Sequence, residues 1–133
     1  MSLTEKEILE KENQNVLVLE DDSIRQEWFR KYCLGNVTIC ENVDDCINAL
    51  QTKTKWSKIY LDHDLGKEET GVVIAEYIAY WGIIGDPVVI IHSMNPIGAM
   101  GMKDILVDED SNFNGHVLVI NFGSLIASCC DPF

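Results

Sequence analysis

Positive charge is scarce in this sequence. Its 133 residues carry 10 Lys and Arg against 22 Asp and Glu, a formal net charge of -12 at pH 7, and no Lys or Arg follows Lys103. Long nucleic acids are held through many Lys and Arg contacts to phosphates, so an extended duplex is not an expected partner. A small anion or a single strand end needs only a few local groups and stays open. Long apolar runs are also missing. Nothing approaches the roughly 20 residues of a membrane span, and the opening MSLTEKEILEKENQN lacks the apolar stretch of a secretory signal. The expectation is a cytoplasmic protein without membrane contact. The five cysteines, Cys33, Cys40, Cys46, Cys129 and Cys130, form no CxxC pair. Their odd number, with no sign of secretion, points to free thiols rather than to disulfides or a structural zinc site. Internal repeats and low-complexity segments are absent.

What is present is a chain rich enough in apolar residues, at 47%, to fold as one domain with a real core. Residues 1–15 read as a charged extension, either a solvated helix or a tail, and residues 16–133 as the domain. VLVLEDD (16–22), NVTICEN (36–42), KIYLDHDLG (58–66, ending as a strand at Asp62), PVVIIHS (87–93) and HVLVINF (116–122) read as strands. Between them SIRQEWFRKY (23–32), VDDCINALQ (43–51), TGVVIAEYIAYWG (70–82) and NPIGAMGMKDILV (95–107) carry helical signals. Ser23 and Gln26 have capping-box spacing. Asn95 precedes Pro96 as cap and first helical residue. SLIASCCDPF reads as a short last helix, and VDEDSNFNG as the mobile loop. Trp28, Tyr77, Tyr80 and Trp81 lie at helical spacing and are expected in the core rather than on a base-stacking surface.

Strands that are continuous apolar runs are covered on both faces. Alternating with helices, they predict an open, doubly wound α/β fold with a five-stranded parallel sheet. Ligands bind such sheets outside the carboxyl ends of the strands. The first strand ends in Glu20-Asp21-Asp22, the third in Asp62-His63-Asp64, the fourth in His92-Ser93-Met94-Asn95. Three strand ends bearing charged or hydrogen-bonding groups on one edge are the functional signal. His116 opens the fifth strand without an acidic partner and reads as a surface residue. Gly98 and Gly101 fall inside a helical pattern, where glycine costs stability; close approach of another group or simple packing would account for them.

An acid pair after the first strand and an aspartate after the third resemble the receiver domain of two-component signalling. The resemblance implies the strand order 2-1-3-4-5, a magnesium site at Asp21 and Asp22, and a phosphorylated Asp62. The lysine that receivers carry after the fifth strand is missing here. LEDDSIR, LDHDLG with a later TG, and HSMNPIGA are more closely similar to the cyclic-phosphate-processing receiver family, over about residues 16 to 122. That family implies a receiver-like fold with two histidines, proposed to act on cyclic phosphates in RNA or nucleotide metabolism.

Opening a 2′,3′-cyclic phosphate requires an activated water, a protonated leaving group and stabilised phosphoryl oxygens. His63 and His92, expected to titrate near neutrality, divide the acid and base work. Asp62 or Asp64 orients His63. Arg25, Ser93, Asn95 and the positive ends of the helices after the first and fourth strands hold the phosphate. In the other reading Asp21, Asp22 and Asp62 bind a divalent cation, magnesium or manganese. Three functions follow: a phosphoesterase for a cyclic phosphate on a nucleotide or RNA end, a degenerate receiver that binds a nucleotide, a phosphate or a protein, and a phosphoacceptor receiver using Asp62.

Overall fold

The structure is a computed structural model that describes residues 4–66, 69–127, 131 and 133. The elements run α1 (Glu5–Glu12), β1 (Asn15–Leu19), α2 (Ser23–Tyr32), β2 (Asn36–Cys40), α3 (Val43–Leu50), β3 (Trp56–Leu61), α4 (Val72–Trp81), β4 (Val88–His92), α5 (Pro96–Val107), β5 (His116–Ile120) and α6 (Phe122–Ala127). The five strands form one parallel sheet in the order β2-β1-β3-β4-β5, as the alternating pattern predicts. The charged N-terminal segment is helical over α1.

Strand periodicity sorts the side chains onto two faces. Leu17, Leu19, Ile59, Leu61, Val89 and Ile91 pack with residues of α3, α4 and α5 such as Cys46, Ile74 and Met102. Val16, Val18, Tyr60 and Ile90 pack on the opposite face with Trp28 and Phe29 of α2 and Phe122 and Leu125 of α6. Continued one step past the strands, the second alternation places Glu20, Asp62 and His92 under α2 and α6.

Helix starts are set by side chains that accept orphan amide protons. Asn42 caps α3 by accepting from Asp45 N at 2.8 Å, and Asn95 caps α5 by accepting from Gly98 N at 3.0 Å. Asp22, not Ser23, caps α2, accepting from Arg25 N at 2.9 Å. The expected Ser23–Gln26 box does not form. A carboxylate stands one residue earlier, and Gln26 Nε2 donates instead to the Glu20 carbonyl at 2.7 Å.

Three further expectations are corrected. Tyr80 and Trp81 are 69% and 67% exposed, because α4 presents a surface stripe near its C-terminus beyond the buried Ile74, Ala75 and Ile78. The segment expected to be the mobile loop is pinned: Asn112 N donates to Ala79 O at 2.7 Å, Asn112 Nδ2 donates to Tyr80 O at 2.6 Å, and Phe113 enters the core. The fifth strand stops at Ile120, and Phe122 opens α6 as a buried residue. His116 is exposed at the start of β5. Cys40 and Cys46 are buried free thiols; Cys129 and Cys130, like most of the expected tail helix beyond Ala127, lie outside the described residues.

Lys58 lies almost wholly buried at the start of the alternation that leads to Asp62. Its Nζ donates to Asp131 Oδ2 at 3.0 Å, and the Tyr60 hydroxyl donates to Asp131 Oδ1 at 2.6 Å. Burial works against the Asp131 charge, but Lys58 and Tyr60 more than offset it and hold the carboxyl below its ordinary pKa. Removing one partner of a buried pair strands the other charge, at a cost of about 3–5 kcal/mol. Asp131→Ala is expected to lose stability on that scale in urea unfolding, and Lys58→Met combined with Asp131→Leu to lose much less. A single substitution costing under about 1 kcal/mol, as for an exposed pair, would show that the pair is solvated.

Candidate active site

Glu20 continues the ladder of β1, its amide donating to Cys40 O at 3.0 Å, and its side chain has no exposure. Both carboxylate oxygens are engaged. Oε1 accepts from Arg25 Nε at 2.8 Å and Oε2 from Asp22 N at 3.1 Å. Arg25 Nη2 lies 3.7 Å from Asp62 Oδ2, and its guanidinium carbon stands 5.8 Å from the centre of the Phe122 ring. One guanidinium thus serves two buried carboxyls.

Asp62 is 4% exposed. Its Oδ1 accepts from Asp64 N at 3.3 Å, and its Oδ2 has no hydrogen-bond partner among the described residues. Burial first, and then the charge of Glu20, push its pKa up to about 8, with Arg25 opposing. Glu20 is raised as well, by burial against the bonds from Arg25 and Asp22. The two carboxyls titrate as a pair and retain a proton near neutral pH. Arg25 keeps its charge firmly: burial disfavours it, but Glu20, Asp62 and Asp22 outweigh burial and raise its pKa.

His92 corrects an expectation. It is 1% exposed and packed among Phe29, Tyr60 and Phe122. Burial, with the Arg25 charge adding to it, lowers its pKa to about 3. The ring is neutral, so its approach to Glu20 (Nδ1 to Oε1, 3.7 Å) is not an ion pair, and its Nε2 lacks a hydrogen-bond partner. Burial thus disfavours the protonated ring that the acid–base role expected from sequence requires.

His63 lies apart from His92. It follows the opposite alternation of β3, and its ring occupies the space where a Cβ on Gly98 of α5 would stand, 2.5 Å from that position at Cδ2. Gly98 is therefore glycine because His63 approaches it, whereas Gly101 has open space. The His63 Nδ1 is 2.7 Å from Asp64 Oδ1, so Asp64 orients the ring and fixes the tautomer. The loop behind is clamped by Gly71, whose amide donates to His63 O at 2.8 Å and whose Cα lies so close to Asp62 O that any Cβ would collide with it. That contact accounts for Gly71.

A cavity of about 200 Å³ opens at this edge, lined by Arg25, Asp62, Asp64, His92, Ser93, Met94 and Phe122. The structure thus brings Arg25, Asp62, Asp64, His92 and Ser93 together. His63 is joined to the lining through Asp64, and Asn95 serves α5 as its cap. The Ser93 hydroxyl accepts from Asn95 N at 3.0 Å, which leaves its proton for another partner. The N-terminus of α2 is already occupied by the Asp22 carboxylate, so of the two helix ends expected to hold phosphate only that of α5 is uncapped by an acid.

The acid cluster also differs in membership. Oxygens of Glu20, Asp21 and Asp62 lie within 4.8 Å of one another, while Asp22 spends its carboxylate on the cap. The unpartnered Asp62 Oδ2 and the exposed Asp21 carboxylate suit a hard divalent cation. Glu20 in place of Asp22, together with Met94 and Phe122 as cavity walls, is what sequence reasoning missed; the alternation along β1 is the signal that finds Glu20.

A family model described as the cyclic-phosphate processing receiver domain matches residues 16–108, well over half of the chain. No curated protein matches the sequence. Solved structures with the same fold include the phosphorylated cyanobacterial phytochrome response regulator RcpA, with TM-score 0.65, 14% identity, and 88% of this chain and 89% of that one covered. The Mn(2+)-bound form of response regulator Rcp1 gives TM-score 0.61 and 14% identity over 87% and 88%. A response regulator from Burkholderia pseudomallei, solved with a phosphorylated aspartic acid, calcium ion and citrate, gives 0.59 and 17% over 88% and 66%.

The titrations set a sign for stability against pH. His92 is depressed from 6.5 to about 3, so its contribution is lost as pH falls below about 6.5. Asp62 is raised from 3.8 to about 8, so its contribution is complete below 3.8 and is lost as pH rises towards 8. Between 3.8 and 6.5 the two oppose; between 6.5 and 8 only the carboxyl pair acts. Stability is expected to fall across that interval by up to about 1.4 kcal/mol per pH unit for one proton, and Asp62→Asn to flatten the slope. Urea unfolding at both ends checks this; a flat wild-type profile contradicts the retained proton.

Proposed function

The chain belongs to the cyclic-phosphate processing receiver domain family, and on that premise we propose that it is a phosphoesterase that opens a 2′,3′-cyclic phosphate on a nucleotide or an RNA end. The observation that carries the reading is a cavity lined by a buried carboxyl (Asp62), a guanidinium (Arg25) and a hydroxyl (Ser93), with a histidine (His63) held by Asp64 of the same lining. A cavity of about 200 Å³ suits the cyclic phosphate and part of its ribose, not a duplex. Its apolar walls, Met94 and Phe122, suit the sugar.

Each group has a task in that reaction. Arg25 and Ser93 hold phosphoryl oxygens, and the N-terminus of α5 adds its dipole. His63, its Nδ1 fixed by Asp64, accepts a proton at Nε2 from the attacking water. A new P–O bond forms to that water oxygen. The P–O bond to one ribose oxygen breaks, and Asp62 gives its proton to the departing alkoxide. The product is a ribose phosphomonoester. His92, neutral by burial, offers the unpartnered Nε2 as a hydrogen-bonding group rather than as a proton carrier. A divalent ion held by Glu20, Asp21 and Asp62 would supply electrostatic stabilisation of the phosphoryl oxygens in place of acid catalysis by Asp62.

The test is phosphorus NMR of the protein with a 2′,3′-cyclic mononucleotide, with magnesium and with chelator. Conversion to the monoester is expected. His63→Ala is expected to lose 10²-fold or more, on the order of the general acid–base contribution. Gly98→Ala, which drives a methyl into the His63 ring, is expected to lose turnover with little loss of binding, and turnover with chelator is expected to decline as pH rises through about 8. Saturable broadening of the substrate signal without conversion would instead assign the cavity to a binding module.

A further inference from the structure

Arg25 occupies the ground that a cation at the acid cluster needs. Glu20 is wholly buried, its Oε1 accepting from Arg25 Nε and its Oε2 from Asp22 N, so an ion ligated there shares its carboxylate with the guanidinium. The same guanidinium satisfies Asp62 poorly, at 3.7 Å and without a hydrogen bond to Oδ2. It leaves Asp21 untouched, although an Asp21 oxygen completes the three-carboxylate cluster. Two buried carboxyls thus share one positive charge, and among the described residues no other Lys or Arg pairs with either. The Arg25 side chain is about one-third exposed and already lines the cavity, so it has somewhere to go.

We propose that Arg25 is a resident counter-cation that a divalent ion displaces, so that loading Glu20, Asp21 and Asp62 turns the guanidinium into the cavity where the phosphate lies. An ion and a guanidinium on the same Glu20 carboxylate repel, and the ion brings two charges to three carboxylates where Arg25 brings one. The ion-free site is held together by Arg25; the loaded site presents Arg25 to an anion. The exchange explains how an acidic edge admits a phosphate: the cation that enters releases a second one towards the substrate. It deepens the phosphoesterase reading but rests on the acid cluster, and its test reads ion binding rather than turnover.

The experiment is a magnesium titration of nitrogen-15-labelled protein, following the Arg25 Nε–H signal, with manganese binding measured by calorimetry. In the ion-free protein that proton is expected to be protected by its bond to Glu20. On adding magnesium it is expected to shift and to exchange faster with water in step with binding. Arg25→Gln is expected to bind manganese about tenfold or more tightly than wild type, and Asp21→Asn to weaken binding while leaving the ion-free Nε–H signal in place. Magnesium binding with the Arg25 signal unmoved overturns the proposal, as does the absence of binding by either ion. Where Arg25→Gln fails to fold, the wild-type Nε–H titration decides alone. Loss of turnover with intact exchange would sink the phosphoesterase reading and leave this one standing.

Discussion

Glu20 is a carboxylate without water at the end of the second-ranked strand of the sheet, and Arg25 lies against it at 2.8 Å. A charge taken out of water is tolerated only when it is paired and hydrogen-bonded. The pairing therefore fixes more than itself. It seats the first turn of α2 on β1, with Asp22 N and Gln26 Nε2 donating to Glu20 in the same turn. It places a fixed positive charge beside His92, adding to the burial that already disfavours a protonated ring. It leaves Asp62 in the same dry space with less than a full counter-charge, and Asp62 responds by holding its proton. The electrostatic character of the edge descends from that one buried contact.

Much of the fold was legible because apolar runs and helix signals agree with each other. The five strands and the helices from α2 to α5 lie where the patterns put them, with ends shifted by a residue or a few, as helix and strand limits commonly are. The strand order needed the family resemblance, since periodicity says nothing about which strands are neighbours. The site was legible as a set of strand ends and less so as a geometry. His63 and His92 are at the ends of adjacent strands, yet the alternation that puts Tyr60 and Ile90 on one face sends His63 to the other. Applied to the motif, the same period-two rule separates the histidines and joins Asp62 to His92. Asp22 and Ser23 show a different limit: two good capping residues stand side by side, and local spacing does not say which the turn will use. Tyr80 and Trp81 read as core because aromatic residues at helical spacing normally are, but a helix has one buried stripe and these two stand off it.

The receiver frame is kept while its charges are redistributed. Ile120, Asn121 and Phe122 at the end of β5 bring no cation to the edge. The positive charge comes instead from the helix that follows β1, and it arrives already bound to Glu20. That difference bears on what Asp62 can do. A carboxylate attacks phosphorus as a nucleophile only when ionised, and a phosphoryl group left on Asp62 would stand next to Glu20 with a single guanidinium between two anions. As a proton donor the same residue needs no added charge: its raised pKa is the property the task requires.

The distribution also decides how an acidic protein meets an anion. With a formal charge of -12, the long-range field disfavours a phosphate, so attraction has to be local and short-range, within a Debye length of roughly 8–10 Å. Among the described residues Arg25 is the one Lys or Arg lining the cavity, and its charge is spent on Glu20 for as long as no other cation is present. A neutral Asp62 removes one repulsive charge, and a divalent ion at the cluster adds attraction while releasing Arg25. Both routes lower the same barrier, and both act by changing the charge state of two buried carboxyls rather than by recruiting surface lysines. On the proposed reading the edge favours a compact, singly or doubly charged group that enters the cavity, since a longer polyanion would gain one contact there and meet the acidic surface everywhere else.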